Sequence, residues 1–234
     1  MSSIFNKKYI SITYGKYNKS NYVEKLCKYL FKNSDSKLKL LDIGCGNCEI
    51  TNQLVNLGYC VYGLDYYNHD TNRPSLGWQL NLCDLEKQSY PFEDNFFDIV
   101  FCKSTIEHLR NPDILVDQAF RMLKKGGVFI CMTPSWKHSY KEQFYVDHTH
   151  VTPFTQYSLK MICMLSGFVN IKCSYFYQLP LLWRFKWLIL FVKFLNLFNL
   201  PYRPFYEKAI WSEKINIIIR FSKEPMLLCT CKKP

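Results

Sequence analysis

Between Leu38 and Asp65 the chain runs through a strand, a glycine turn, a helix and a second strand, and few architectures accept that order. Leu38 to Ile43 is a short apolar run that stops at Gly44, which reads as a buried strand. Glu49 to Leu57 has helical spacing and meets Gly58 at a C-cap position. Cys60 to Leu64 is a second apolar run, closed by Asp65. Two strands joined through a helix lie parallel, with a right-handed crossover. The pattern then repeats. Trp78 to Leu82 is a third strand, and Phe97 to Cys102 a fourth, introduced by the turn-like Glu93-Asp94-Asn95. A helix starts at Asn111-Pro112 and runs to about Lys124, since proline suits a first helical turn. Gly126-Gly127 opens a fifth strand, Val128 to Met132. A helix over Thr155 to Leu165 and strands over Val169 to Tyr177 and Met226 to Cys231 complete seven. Tyr22, Val23, Leu26, Tyr29 and Leu30 give residues 20–32 an amphipathic helix before the first strand. The expected fold is α/β: a seven-stranded, mostly parallel sheet with helices on both faces and a helical insertion before the last strand.

One domain over residues 1–234 suffices: an N-terminal helical cap (1–37), a core (38–177), the insertion (178–224) and the last strand (225–234). A chain with 48% apolar residues at this size needs no metal or disulfide staple. Cys60, Cys83, Cys102 and Cys131 fall in strand-like runs, where reduced cysteines act as small hydrophobes. Met1 to Asn21 is polar, with no signal-peptide core, so a cytoplasmic location is expected. The net charge of +11 is unevenly placed. Residues 1–40 carry nine Lys against Glu24 and Asp35, and residues 171–234 carry eleven Lys and Arg against Glu207, Glu213 and Glu224. The segment between is mildly acidic. Basic flanks of this kind favour anionic partners or are solvated surface.

The chemistry concentrates at strand ends. Glycines after the first strand, in Asp42-Ile43-Gly44-Cys45-Gly46, let backbone approach a ligand at the edge where open parallel sheets bind them. Asp65 ends the next strand, where an acid accepts hydrogen bonds from both ribose hydroxyls of a nucleoside, and Asp84 follows the third. The helix after the glycines begins with Glu49, which would repel a pyrophosphate. A nicotinamide dinucleotide is thereby disfavoured and a nucleoside without phosphate preferred.

These motifs resemble those of the class I S-adenosylmethionine-dependent methyltransferases, a Rossmann-like family. The likeness starts at Leu41-Asp42-Ile43-Gly44-Cys45-Gly46 and continues through Gly63-Leu64-Asp65, Leu82-Cys83-Asp84-Leu85 and Ile106-Glu107-His108-Leu109. It resumes at Leu123 to Gly127 and at His150 to Thr155, covering roughly residues 38–177. The resemblance implies S-adenosyl-L-methionine as cofactor. Asp42, Gly44, Cys45 and Gly46 would surround its methionine part, Asp65 its ribose, and Tyr66 would pack beside the adenine. Asp84 and Leu85 would meet the adenine edge, with Lys103 and Ser104 flooring the site. Cys48 stands where the family usually has a third glycine.

Methyl transfer to a hydroxyl needs a proton acceptor, and His108, His148 and His150 are the candidates. The fourth motif, Cys102 to His108, lacks the Asn-Pro-Pro-Tyr or Asp-Pro-Pro-Tyr sequence that serves base amines and glutamine amides. The Glu107-His108 pair resembles quinone-precursor O-methyltransferases, but Ser104 stands where they have a further glutamate, so no metal is expected. Cys45 and Cys48 have no second pair at zinc-ligand spacing. A small-molecule or glycan acceptor, methylated at oxygen, is the leading expectation. A quinone-type or lipid-linked acceptor at a membrane face, RNA, and a non-catalytic S-adenosylmethionine-binding role remain open, with nucleic acid placed behind the small molecules. In the insertion, Trp183, Trp187, Leu190, Phe194 and Leu197 recur at helical spacing, with Arg184, Lys186, Lys193, Asn196 and Asn199 elsewhere on the wheel. Such a helix over 180–200 is expected to cover the acceptor side or form a homodimer contact, with peripheral membrane contact as the alternative.

Overall fold

The computed structural model describes residues 8, 9, 12, 20–31, 37–67, 78–87, 89–140, 143–198, 200–204 and 207–234. Most of the expected N-terminal cap, and Asn199, lie outside the described residues. Strands β1 (Lys39–Ile43), β2 (Cys60–Asp65), β3 (Gln79–Leu82), β4 (Phe97–Lys103), β5 (Leu123–Pro134), β6 (Val169–Phe176) and β7 (Met226–Lys232) form one sheet in the order β3-β2-β1-β4-β5-β7-β6. The first five strands run parallel, and β7 is antiparallel to both β5 and β6. The chain order reverses between β1 and β4, which leaves a crevice beyond the carboxyl end of β1.

Strand periodicity divides the core into two layers. Leu41 and Ile43 of β1, with Val100 and Cys102 of β4, point to one face. Leu40, Ile99 and Phe101 point to the other. On the first face lie α3 (Pro112–Met122) and α5 (Gln156–Leu165), which bury Leu115, Ala119, Leu159 and Cys163. The second face is covered by α1 (Ser20–Leu30) and α2 (Glu49–Asn56), through Val23, Leu26, Cys27 and Leu54. Spacings of three and four along α1 set that stripe. A capping box starts α5, with the Thr155 hydroxyl accepting from the Ser158 N–H.

Two expectations are corrected. The helix expected to reach Lys124 ends at Met122, because Leu123 (φ −70°, ψ 140°) is already extended and pairs with Phe97. The register then shifts between Phe97 and Ile99 across Gly126, whose φ of +75° suits a residue without Cβ. The insertion is also not one helix. It comprises α6 (Pro180–Arg184), α7 (Leu188–Leu195) and α8 (Glu213–Lys223), broken first at Phe185 (φ −120°, ψ 79°). The stripe is split accordingly. Trp183 packs against Tyr29 and Phe176, with ring centroids 5.1 and 5.2 Å away, and its indole N–H donates to the Tyr177 carbonyl (2.8 Å). Trp187, Leu190 and Leu197 are instead 68%, 71% and 80% exposed. The expected cover over the acceptor side is therefore absent at these residues, since nothing after α6's break held the two halves on one face.

Candidate active site

A cavity of about 740 Å³ opens at the carboxyl ends of β1 and β4, a size that suits small-molecule ligands. Its lining includes Asp42, Gly44, Cys45, Lys103, Ser104, His108 and His150, so seven of the residues expected from the sequence converge. Tyr22 and Lys25 of α1 and Lys214, Ile217 and Arg220 of α8 complete the walls. No local sequence signal ties α8 to a site built from much earlier residues; only its return beside the sheet does.

The glycine turn is shaped by close approach. Gly44 sits at φ +73°, and a Cβ there would lie 2.0 Å from the Thr105 hydroxyl oxygen. Its N–H donates to the Leu64 carbonyl (2.7 Å). The Gly46 N–H donates to Asp65 Oδ2 (2.8 Å), and the Tyr67 N–H to Asp65 Oδ1 (3.1 Å), so backbone donors aim the carboxylate at the turn. Cys48 takes a left-handed conformation (φ 61°) at the start of α2, the one a glycine would adopt without steric cost. Its Sγ lies 4.0 Å from the Cys45 Sγ. Among the described residues no third ligand group joins that pair.

Gly46, Asp65, Tyr66, Asp84 and Leu85 do not line the cavity; they stand beside it along the same sheet edge. The Cys83 N–H donates to the Asp65 carbonyl (2.9 Å), which brings the ends of β2 and β3 together. Tyr66 is 51% exposed and meets the Tyr67 ring edge-on. Leu85 is buried, its carbonyl accepting from the Tyr90 hydroxyl (2.8 Å), while Asp84 caps the Glu86 N–H. His148 is exposed, with its ring edge-on to Tyr9, and does not line the cavity.

His108 and His150 lie with ring centroids 4.7 Å apart, and their surroundings fix their tautomers. The Thr149 hydroxyl donates its one proton to Asp147 Oδ1 (2.6 Å), and Asp147 Oδ2 accepts from the Tyr9 hydroxyl (2.6 Å). At 2.8 Å from Thr149 Oγ1, His108 Nδ1 can then only donate, which leaves the lone pair on Nε2. His150 Nδ1 donates to the Phe144 carbonyl (2.6 Å), so its lone pair also falls on Nε2. Burial lowers the pKa of both rings, against the carboxylates of Asp147 for His108 and Glu107 for His150. Both are therefore neutral near pH 7 and able to accept a proton. Asp147 is held below the ordinary carboxylate value, hydrogen bonds from Thr149 and Tyr9 outweighing its burial.

Beneath them lies Glu107, fully buried, which the sequence offered only as half of a pair with His108. Oε2 accepts from the Thr133 hydroxyl (2.9 Å). Burial raises its pKa and lowers that of Lys103, which faces both Glu107 and Asp42. Asp42 accepts from the Thr51 hydroxyl (2.7 Å), and burial lifts its pKa to about 7. Glu107, His108 and His150 could each offer a ligand atom to one cation, all within 4.8 Å of one another. The Lys103 ammonium already supplies positive charge beside Glu107, which weakens the case for a divalent ion there.

Residues 41–131 match the methyltransferase domain family. A ubiquinone biosynthesis O-methyltransferase from Psychrobacter cryohalolentis is 31% identical over 130 residues, 48% of this chain and 51% of that protein. The human eEF1A lysine and N-terminal methyltransferase is 28% identical over 52% of this chain and 19% of that protein. The chain thus spans about half the length of the first of these relatives and about a fifth of the second. In fold it is similar to the putative methyltransferase complexed with the Haloferax volcanii Trm112 methyltransferase activator (TM-score 0.69, 15% identity, 96% of each chain). The Haemonchus contortus phosphoethanolamine N-methyltransferase 2 in complex with S-adenosyl-L-methionine is also similar (TM-score 0.62, 21% identity, 99% of this chain and 56% of that one). Sheet order, the glycine turn and the domain match together define a class of Rossmann-like methyltransferase. Over residues 41–131 the chain is thus similar to the S-adenosylmethionine-dependent methyltransferases, whose Rossmann-like fold it shares.

Proposed function

We propose that this chain methylates a hydroxyl of a small-molecule acceptor, with His108 accepting the proton. The observation that carries the reading is the Asp147–Thr149–His108 chain, which presents a neutral imidazole with its Nε2 lone pair at a cavity-lining position. S-adenosyl-L-methionine supplies an electrophilic methyl on its sulfonium and leaves as S-adenosylhomocysteine. Several features fit that group. Gly44 lines the cavity without a Cβ, Asp65 accepts from the Gly46 N–H beside it, and Glu49 tolerates a sulfonium where it would repel phosphate.

In this reading Asp42, Gly44, Cys45 and Gly46 hold the methionine part. Asp65 turns from the Gly46 N–H to the ribose hydroxyls, with Tyr66, Asp84 and Leu85 around the adenine. Lys103 and Ser104 form the floor. His108 Nε2 would take the acceptor's hydroxyl proton as its oxygen receives the methyl that the bound cofactor would supply. Asp147, through Thr149, stabilises the imidazolium that forms. His150 lies next to His108 and is the second acceptor. Enclosure by α1 and α8 excludes water and aligns the reactants. The names of the relatives include O- and N-methyltransferases. The neutral imidazole favours a hydroxyl, whose proton must be removed. A panel of hydroxylated small molecules, scored for S-adenosylhomocysteine release, tests the reading. Methylation of amines alone would overturn it.

A further inference from the structure

Helix α7 has no polar face. Its sequence is LILFVKFL, with Lys193 its one charge. One side packs inward through the buried Val192, and just past its end Asn196 ties the helix to α8 by donating to the Ser222 carbonyl (2.8 Å). The opposite side, Leu190, Phe191 and Phe194, is exposed together with the flanking Trp187, Leu197 and Phe198. The helix is therefore anchored, and its outer face is still uncovered. A helix apolar all round belongs in a core or in lipid. Four of the six outer residues are aromatic, each more than half exposed and each offering roughly 150–250 Å² when buried. The patch thus reaches the range of about 300–600 Å² at which an exposed apolar surface marks a contact site.

The charges around it select the occupant. Residues 180–203 carry Arg184, Lys186, Lys193 and Arg203 and no acid. A two-fold contact would set this face against its own copy, bringing these cations together with no carboxylate to offset them. An anionic lipid surface matches both components: the rings enter the interface and the cations meet the headgroup charge. No helix among the described residues is long and apolar enough to cross a membrane. At eight residues, α7 is about 12 Å long, far short of a bilayer's hydrocarbon core of about 30 Å. We infer that α7 lies in the plane of an anionic bilayer, with Trp187, Phe191 and Phe194 in the interface and Arg184, Lys186 and Lys193 at the headgroups.

The test is co-sedimentation of the full chain with phosphatidylcholine vesicles, with and without phosphatidylserine, across a salt series. It requires no turnover, so its failure is separate from failure of the proposed reaction. Binding should need phosphatidylserine, weaken with salt and blue-shift tryptophan emission. The double variant Trp187→Glu, Phe191→Glu should lose about tenfold or more in vesicle affinity, while keeping its thermal transition and its affinity for S-adenosylhomocysteine. Equal binding by the double variant would overturn the inference, as would no binding to phosphatidylserine vesicles. A dimer in solution that the double variant converts to monomer would assign the face to a second copy instead.

Discussion

His150 Nε2 stands 4.0 Å from Glu107 Oε1, a buried carboxylate oxygen that has no hydrogen-bond partner among the described residues. With Nδ1 committed to the Phe144 carbonyl, His150 can close that gap only by taking up a proton at Nε2. The pair is thus one proton away from an ion pair, and His108 lies beside it, its ring centroid 4.7 Å from that of His150. A proton leaving an acceptor at His108 enters a cluster built to stabilise it.

His108→Ala is expected to lose about 10²–10⁴-fold in turnover with cofactor affinity intact, as for a general base. Thr149→Val should cost less, by freeing the ring rather than removing it. Single-turnover methylation with calorimetry on S-adenosylhomocysteine separates the two effects. Equal turnover in both variants and the parent chain would reject His108.

Activity should rise with pH and level off below the ordinary histidine range. Burial depresses the pKa of both His108 and His150, so the neutral, proton-accepting form fills at lower pH than in an ordinary histidine. A kcat profile still climbing above pH 8 would point to an acceptor or base other than these rings.

Asp42→Asn is expected to raise the melting temperature at pH 8 more than at pH 5. Asp42 has a folded-state pKa of about 7 against an ordinary 3.8, so the folded protein holds a proton that the unfolded chain releases between those values. Its contribution is full below about pH 3.8 and is lost as the pH climbs to about 7. The amide keeps an acceptor for Thr51 and removes that loss, worth on the order of a few kcal/mol. Melting curves at the two pH values measure it.

Asp65→Ala should weaken S-adenosylmethionine binding by two charge-assisted hydrogen bonds, each about 1.5–3 kcal/mol. Calorimetry on that variant reads the loss directly. The parent chain should bind the nucleoside in the micromolar range and show no heat with nicotinamide dinucleotides.

Turnover should survive EDTA. The Glu107, His108 and His150 cluster has the spacing to bind a cation, but the proposed mechanism needs both histidine lone pairs free. Loss with chelator and recovery with magnesium would convert the cluster into a metal site.

The sheet was legible because each β-strand carries its own evidence. In Leu40 to Ile43, alternate residues serve opposite layers, so a local apolar run already implies a strand buried on both faces. The placement of Gly44, Asp65 and Asp84 was legible for a related reason: each sits at or just past the end of a strand, and parallel strands place their ends on one edge. What the sequence determined by itself was thus the fold class, the order of the elements and the edge that carries the site. Tertiary structure decided the rest. The Asp147–Thr149–His108 chain spans 41 residues, and no local pattern orients a side chain across that distance. Arg220 and Lys214 join the cavity because α8 returns to it late in the chain. The stripe from Trp183 to Leu197 is periodic as a sequence, yet after a break at Phe185 its first member packs half-buried on the core and the others are exposed. Periodicity specifies which side chains share a face only while the backbone stays helical, and whether it does depends on what the helix packs against.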